Sequence, residues 1–538
     1  MAGGGRKTCC YDLEFAAMGG EWAVSDPAES VEFAGPSEAL DGSSSYRRIL
    51  KSSSIIGGAS FINIAVGLLR TKVLAILLGP TGVGLVSLYR GLLTTASTVA
   101  TMGLDTVGTR QIAEANALGK ERALAVARRA LFWGTLILAS VGTAVVWTFR
   151  KILAERVLDS KSHAGIVAWL AAGVGLTVAA AAQGALIQGM RRIGDMARLS
   201  IYSGVLNTLL GIAVIWRWGR PALVYYVLIT PVANFLLGYW YVSRLPRAAT
   251  YYAVRLGELA QQWKFLLSVG AAFMGGTLAM SVVQLWIRVD VGDVLGARAL
   301  GQFQAAWTIS TTYIAFVLSA MAADYYPRLT GVIRDSKAAA RMVNEQTEIA
   351  LLLSAPVFLA MMGLAPWVIR LLYTPAFAPA VGVLRWQILG DVLKVAAWPL
   401  GFIFLAAGDG RTFLWTEVSS LLVAGGSIAL FLRTVGLNIT GIAYLACYIF
   451  YLPLMHWLGK GRIGFAWTPS VARLLTITFL VCAAVGVLAT YTRWGAWIGC
   501  AASLVFGVHA VGRLSHMSDL GGPAGRIGAM ARKWTGGK

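Results

Sequence analysis

Between Ser52 and Gly512 the chain is almost continuously apolar, in membrane-length runs separated by short polar loops. About 20 apolar residues cross a bilayer as a helix, and a helix is one of only two ways to satisfy every backbone polar group there. This allows about fourteen spans and leaves no loop long enough for a folded extramembrane domain. Charged residues make up 13% of the chain, against about a quarter in soluble proteins. The expected fold class is an all-α polytopic membrane protein of about 14 transmembrane helices.

The net charge of +21 raises the question of nucleic acid. With the N-terminus placed inside, however, cytoplasmic segments and span ends carry nearly three times as many Lys and Arg as exterior ones. That is the positive-inside bias of a membrane protein, and nucleic acid is not needed to explain it. Both termini are therefore expected on the cytoplasmic side. Residues 1–46 differ in kind: they are acidic and lack the basic-then-apolar pattern of a signal peptide, so they read as a disordered tail. Cys9 and Cys10 lie there, Cys447, Cys482 and Cys500 lie in spans, and no spacing suggests a disulfide framework.

Two stretches repeat at an offset of 217 residues: LLGPTGVGLVSLYRGLLTTAS from Leu77 and VLGARALGQFQAAWTISTTYI from Val294. In each, a Leu-Gly pair ends one span and a glycine five residues later opens the next. Six spans per unit return the chain to the same side. The halves, 47–257 and 258–460, are then two six-helix lobes related by a pseudo-twofold along the membrane normal, with a path between them. Two additional helices (461–512) and a basic tail (513–538) follow.

Charges deep in such a bundle cost ~2.5–3.5 kcal/mol each on insertion scales and usually face a cavity. On the span containing VLRWQILGDVLKVAAWPLGFIFLAAG, residues Gln387, Asp391 and Lys394 share one helical face. They form either a functional stripe or a self-neutralising structural pair. Arg385 lies on the opposite face near a span end, where snorkelling accounts for it. Arg70, Lys72 and Arg90 sit at comparable depth beside the first hairpin. Either they snorkel, or they face the cleft opposite the stripe and bind a phosphate-like dianion through guanidinium forks. The amides Asn63, Gln183, Gln188, Asn207, Asn234, Gln284, Gln302 and Gln304 are interhelical glue or the lining of a hydrated cavity. Asp105, Asp324 and Glu417 lie toward the cytoplasmic ends as gating or coupling candidates. There is no phosphate-binding G-x-x-x-x-G-K-[ST] loop, and His163, His456, His509 and His516 form no metal motif, so no enzyme and no cofactor is indicated.

WQILGDVLKV (386–395) resembles a segment of the bacterial O-antigen translocase and lipid III flippase family, within the multidrug/oligosaccharidyl-lipid/polysaccharide exporter superfamily. LGPTGVGLVSLYR (78–90), YYPRLT (325–330) and TEVS (416–419) are similar to further segments of that family, in the right order. The resemblance covers roughly residues 47–460, and Lys72, Arg90, Asp391, Lys394 and Glu417 match its pattern, whereas Arg70 does not. It implies a two-lobed carrier in the bacterial inner membrane. Its expected cargo is undecaprenyl-diphosphate-linked oligosaccharide, moved from the cytoplasmic to the periplasmic leaflet, with possible coupling to a proton or sodium gradient. Other polysaccharide-assembly membrane proteins are possible partners. Alternatives are a peptidoglycan-precursor flippase, which the count of fourteen spans favours, a cation-coupled drug exporter of the superfamily, and a non-transporting assembly protein. If the last two helices are accessory, truncation after about Arg462 should leave some flipping.

Overall fold

The computed structural model describes residues 42–119, 121–246, 256–492 and 494–516. The acidic tail with Cys9 and Cys10, and most of the basic tail, lie outside them. Residues 1–53 form a unit of their own, and the architecture here is that of residues 54–538.

Among the described residues every regular element is a helix. In chain order they are α1 (Gly42–Thr101), α2 (Leu104–Ala117), α3 (Glu121–Thr148), α4 (Arg150–Leu158), α5 (Ala164–Gly189), α6 (Ile193–Trp218) and α7 (Leu223–Ser243). There follow α8 (Leu256–Val332), α9 (Ser336–Leu372), α10 (Ala380–Ala406), α11 (Gly410–Val435), α12 (Ile439–Ile463), α13 (Pro469–Tyr491) and α14 (Gly495–His516). Among the described residues, ten helical segments are long and apolar enough to cross a membrane.

The two repeated glycines explain how α1 and α8 can be so long. Each helix is two helices joined at a non-helical residue, Gly79 (φ 63°) in α1 and Gly296 (φ 82°) in α8. Only glycine takes such a conformation without strain, and Pro80, at the start of the returning helix, has the φ a first helical turn needs. The two hairpins also touch. A Cβ on Gly84 would lie 2.2 Å from the Ala297 carbonyl oxygen, and one on Gly301 would lie 1.8 Å from the Pro80 carbonyl oxygen. The duplicated sequence pattern is therefore two equivalent bends whose backbones meet directly. The bend end is called the hairpin end below.

Each half has a central helix. In the first it is α5, with Val167, Leu170, Val174 and Val178 fully buried among α2, α3 and α7. In the second it is α10, packed by α8, α9, α12 and α13 and buried on nearly every side. The apolar run with an acid in its middle is thus a core helix rather than a lipid-facing one.

The last two helices are built onto α9. Gly363 meets Gly495 and Gly499 so closely that a Cβ on it would lie 2.7 Å from the Gly495 carbonyl oxygen. This is the small-residue packing by which membrane helices approach. Asn344 of α9 accepts from the Thr468 backbone N–H (2.9 Å) and donates to the Ala466 carbonyl (3.0 Å), tying down the start of α13. Buried Glu348 accepts from Ser470 and Arg513, both at 3.2 Å. Truncation after Ile463 would strip both partners from a buried carboxylate and bare the glycine seam. Such a chain is expected to yield about tenfold less folded protein, since a loss of even 1–2 kcal/mol changes abundance several-fold. Monomer recovered by size exclusion from extracted membranes measures this; recovery equal to the full chain would contradict it.

Candidate functional site

Two cavities adjoin at Arg70 and Arg90, the smaller beside the hairpins and the larger running from these arginines toward the opposite end. The larger, about 870 Å³, is walled by α1, α5, α6 and α7, with Met274 and Thr277 from α8. The smaller, about 330 Å³, lies between α1 and α8. Arg70 and Arg90 line both, and Arg288 of α8 lines the smaller. Counted along their helices, all three stand roughly 12–17 Å from the bend at 1.5 Å per residue. They share one depth.

Their partners are neutral. Arg90 donates from Nη2 to the Tyr226 hydroxyl (2.8 Å) and lies against that ring. Arg288 donates from Nε to Gln304 Oε1 (3.2 Å), and from Nη1 and Nη2 to the carbonyl and side-chain oxygens of Gln284 (2.9 and 3.4 Å). Arg70 has no hydrogen-bond partner among the described residues, and no carboxylate there lies within ion-pair distance of any of the three. Amides and a phenol orient the guanidinium groups without cancelling their charge. Away from the arginines the larger cavity is lined by hydroxyls and amides, among them Thr94, Thr98, Thr177, Ser203, Asn207 and Asn234, interspersed with apolar side chains such as Leu93, Ile187, Leu199 and Val227, and no aromatic ring lines it among the described residues. Asp105 lines it near the ends of α1 and α2, away from the hairpin.

The other expected residues lie elsewhere. Lys72 donates to the main-chain carbonyls of Arg370 (2.8 Å) and Tyr373 and lines neither cavity. Asp391 is fully buried in the second half. Its Oδ2 accepts from Ser310 (2.8 Å) and Tyr313, and its Oδ1 from Tyr444 (2.7 Å). The direct Asp391–Lys394 pair, the structural alternative for this stripe, is not formed: Lys394 donates to the Tyr444 hydroxyl (3.3 Å), so that phenol stands between the two charges. Gln387 is fully buried, and neither polar atom of its side chain has a partner. The first-half arginines therefore do not face the Gln387–Asp391–Lys394 stripe. They face Arg288.

Glu417 accepts from the Tyr451 hydroxyl (2.6 Å) and lines neither cavity. The Asp324 side chain lies outside the described residues. Arg385 donates to Thr490 Oγ1 (2.8 Å) and the Ala489 carbonyl (3.0 Å), satisfying the end of α13. Of the amides, Asn207 and Asn234 line the larger cavity, Gln284 and Gln304 the smaller. Asn63 instead binds Ser200 (2.8 Å).

Arg288 was missed because it falls at the edge of an apolar run, where a cation reads as an interfacial anchor. The repeat carries the signal that would have found it. Arg288 stands eight residues before Gly296, as Arg70 stands nine before Gly79.

Residues 73–382, more than half of the chain, match the family described as polysaccharide biosynthesis protein. The chain belongs to that family. Within the curated proteins it is 23% identical over 417 residues to the lipid III flippases of Escherichia coli (strain K12) and Shigella flexneri, covering 76% of this chain and 97% of each relative. The resemblance to the O-antigen translocase and lipid III flippase family is borne out.

Two solved structures share the fold. One is the lipid II flippase MurJ in an inward closed conformation, with TM-score 0.64 and 11% identity, covering 85% of this chain and 99% of that one. The other is an inward-facing multidrug resistance MATE family transporter of the MOP superfamily, with TM-score 0.64 and 17% identity, covering 77% and 99%. This member of the polysaccharide biosynthesis family is thus an all-α multi-pass membrane protein that shares its fold with both structures.

Proposed function

We propose that this protein moves undecaprenyl-diphosphate-linked oligosaccharide, an O-antigen or related surface-glycan unit, from the cytoplasmic to the periplasmic leaflet by alternating access of its two halves. One observation carries the proposal: Arg70, Arg90 and Arg288, uncompensated by any acid among the described residues, meet at one depth at the boundary between α1 and α8. Guanidinium forks pair with phosphate oxygens through parallel charge-assisted hydrogen bonds, and a diphosphate supplies the missing anion. The adjoining hydroxyl- and amide-lined cavity gives sugar hydroxyls partners in place of water, while the polyprenyl tail stays in lipid. The likeness to proteins named lipid III flippase supports the substrate class. A cationic drug would meet three positive charges here, which argues against an exporter of such compounds.

Lipid mass spectrometry on cells lacking the gene tests the proposal. Diphosphate-linked glycan should accumulate in the cytoplasmic leaflet and be cleared by the wild-type chain. Normal surface glycan with no accumulation would refute it.

A further inference from the structure

Lys72 stands among the cations beside the first hairpin, yet it lines neither cavity. Its ammonium crosses from α1 in the first half to α9 in the second, where it holds the carbonyls of Arg370 and Tyr373. These carbonyls belong to the C-terminal end of α9, which closes at Leu372 with Tyr373 as its cap. The last carbonyls of a helix lack intrahelical partners, and the helix dipole places partial negative charge there. An ammonium is the complementary group, and a charge this deep is otherwise costly.

We propose that Lys72 is the latch of the hairpin-end gate: by seating on the C-terminus of α9 it holds the two halves together at that end, and it must let go for cargo to leave there. For its meaning in transport this rests on the alternating-access reading above. The latch lies where the halves already touch backbone to backbone at Gly84, Pro80 and Gly301. Glycine contacts bring the surfaces close but supply no charge, and Lys72 does.

At the other end the halves meet through Trp263 of α8, which donates from Nε1 to the Ala130 carbonyl (2.9 Å) and packs on the apolar cluster of α2, α3 and α5, with polar side-chain contacts beside it. Arg122 and Glu258 pair at 2.9 Å, but their side chains are 63% and 35% exposed, and such surface pairs contribute little. Gln111 and Gln262 share one neutral hydrogen bond of 2.9 Å. The two ends are therefore closed by different chemistry. The hairpin end is closed by a charge-assisted contact onto a helix terminus, and the opposite end by a tryptophan contact with polar side-chain pairs beside it. An anionic head group arriving at Arg70, two residues from Lys72, and at Arg90 on the returning helix offers the ammonium a competing anion. That competition gives the cargo a way to open the gate it must pass.

The test is a distance measurement between spin labels on the full chain in lipid nanodiscs, at Leu77 of α1 and Leu371 of α9, both exposed. No substrate is present, so the readout is independent of whether any glycan is carried. The wild type should show one dominant short distance. Lys72→Met should raise the ratio of long to short distances by about tenfold or more, the factor expected for losing hydrogen bonds from a charged donor. Lys72→Arg should stay near wild type. Lys72→Gln, which keeps one neutral donor, should fall between and serves if the Met variant does not fold. A distribution for Met or Gln that matches wild type overturns the latch. A shifted distribution in a protein that moves no lipid-linked glycan leaves the latch standing and removes the flippase reading instead.

Discussion

Replacing Arg90 or Arg288 with alanine is expected to slow transfer of the lipid-linked head group by ~30-fold or more. Truncating one partner of a buried, hydrogen-bonded charge pair typically costs ~2–5 kcal/mol. Both residues are held by neutral partners, Tyr226 for one and Gln284 with Gln304 for the other, so removing the guanidinium leaves no carboxylate behind. The protein should still insert and fold. Lysine at either position should restore charge but not the planar fork, and so recover transfer only in part. Transfer by Arg90→Ala at the wild-type rate, measured with extracted lipid from both leaflets, would remove that residue from the site.

Asp391→Ala should act through stability. The carboxylate accepts from hydroxyls on α8 and α12 together, through Ser310, Tyr313 and Tyr444. Alanine leaves these buried donors without an acceptor and Lys394 without its nearby countercharge. Breaking a buried charged group in this way costs ~3–5 kcal/mol. The expected outcome is a large fall in thermal stability of the extracted protein, read by unfolding monitored through its tryptophans. Asparagine keeps the shape and one acceptor oxygen and should retain most of that stability. The same variant separates two roles. A folded Asp391→Asn protein that no longer transfers its cargo would show that the carboxylate takes part in the transport cycle. One that transfers normally would make Asp391 a fastener of α8, α10 and α12.

What could be read from the sequence, and what could not, divides along chain distance. The apolar runs report helices because the membrane leaves the backbone few options, and the Gly79 and Gly296 bends are legible because left-handed turns need glycine. The acid in the middle of α10 is legible as costly. Its partners are not, since Ser310 and Tyr444 come from helices 81 and 53 residues away, and nothing local marks a hydroxyl as facing that carboxylate. Position along a span fixes depth but not facing. Arg70, Lys72 and Arg90 therefore appeared as one group, although one of them points across to a helix terminus 298 residues on. Arg288 was hidden for the complementary reason: its depth looked like that of an anchor until α8 was seen to continue through its bend.

The most direct test of the central claim is reconstitution of the purified chain into liposomes with a polyprenyl-diphosphate oligosaccharide, following the head group's accessibility on each face. Wild-type protein should move the head group between leaflets, and a chain with Arg90 and Arg288 both replaced by alanine should move it no faster than empty liposomes. Equal rates for the two proteins, or no transfer by the wild type in active, correctly folded form, would contradict the account.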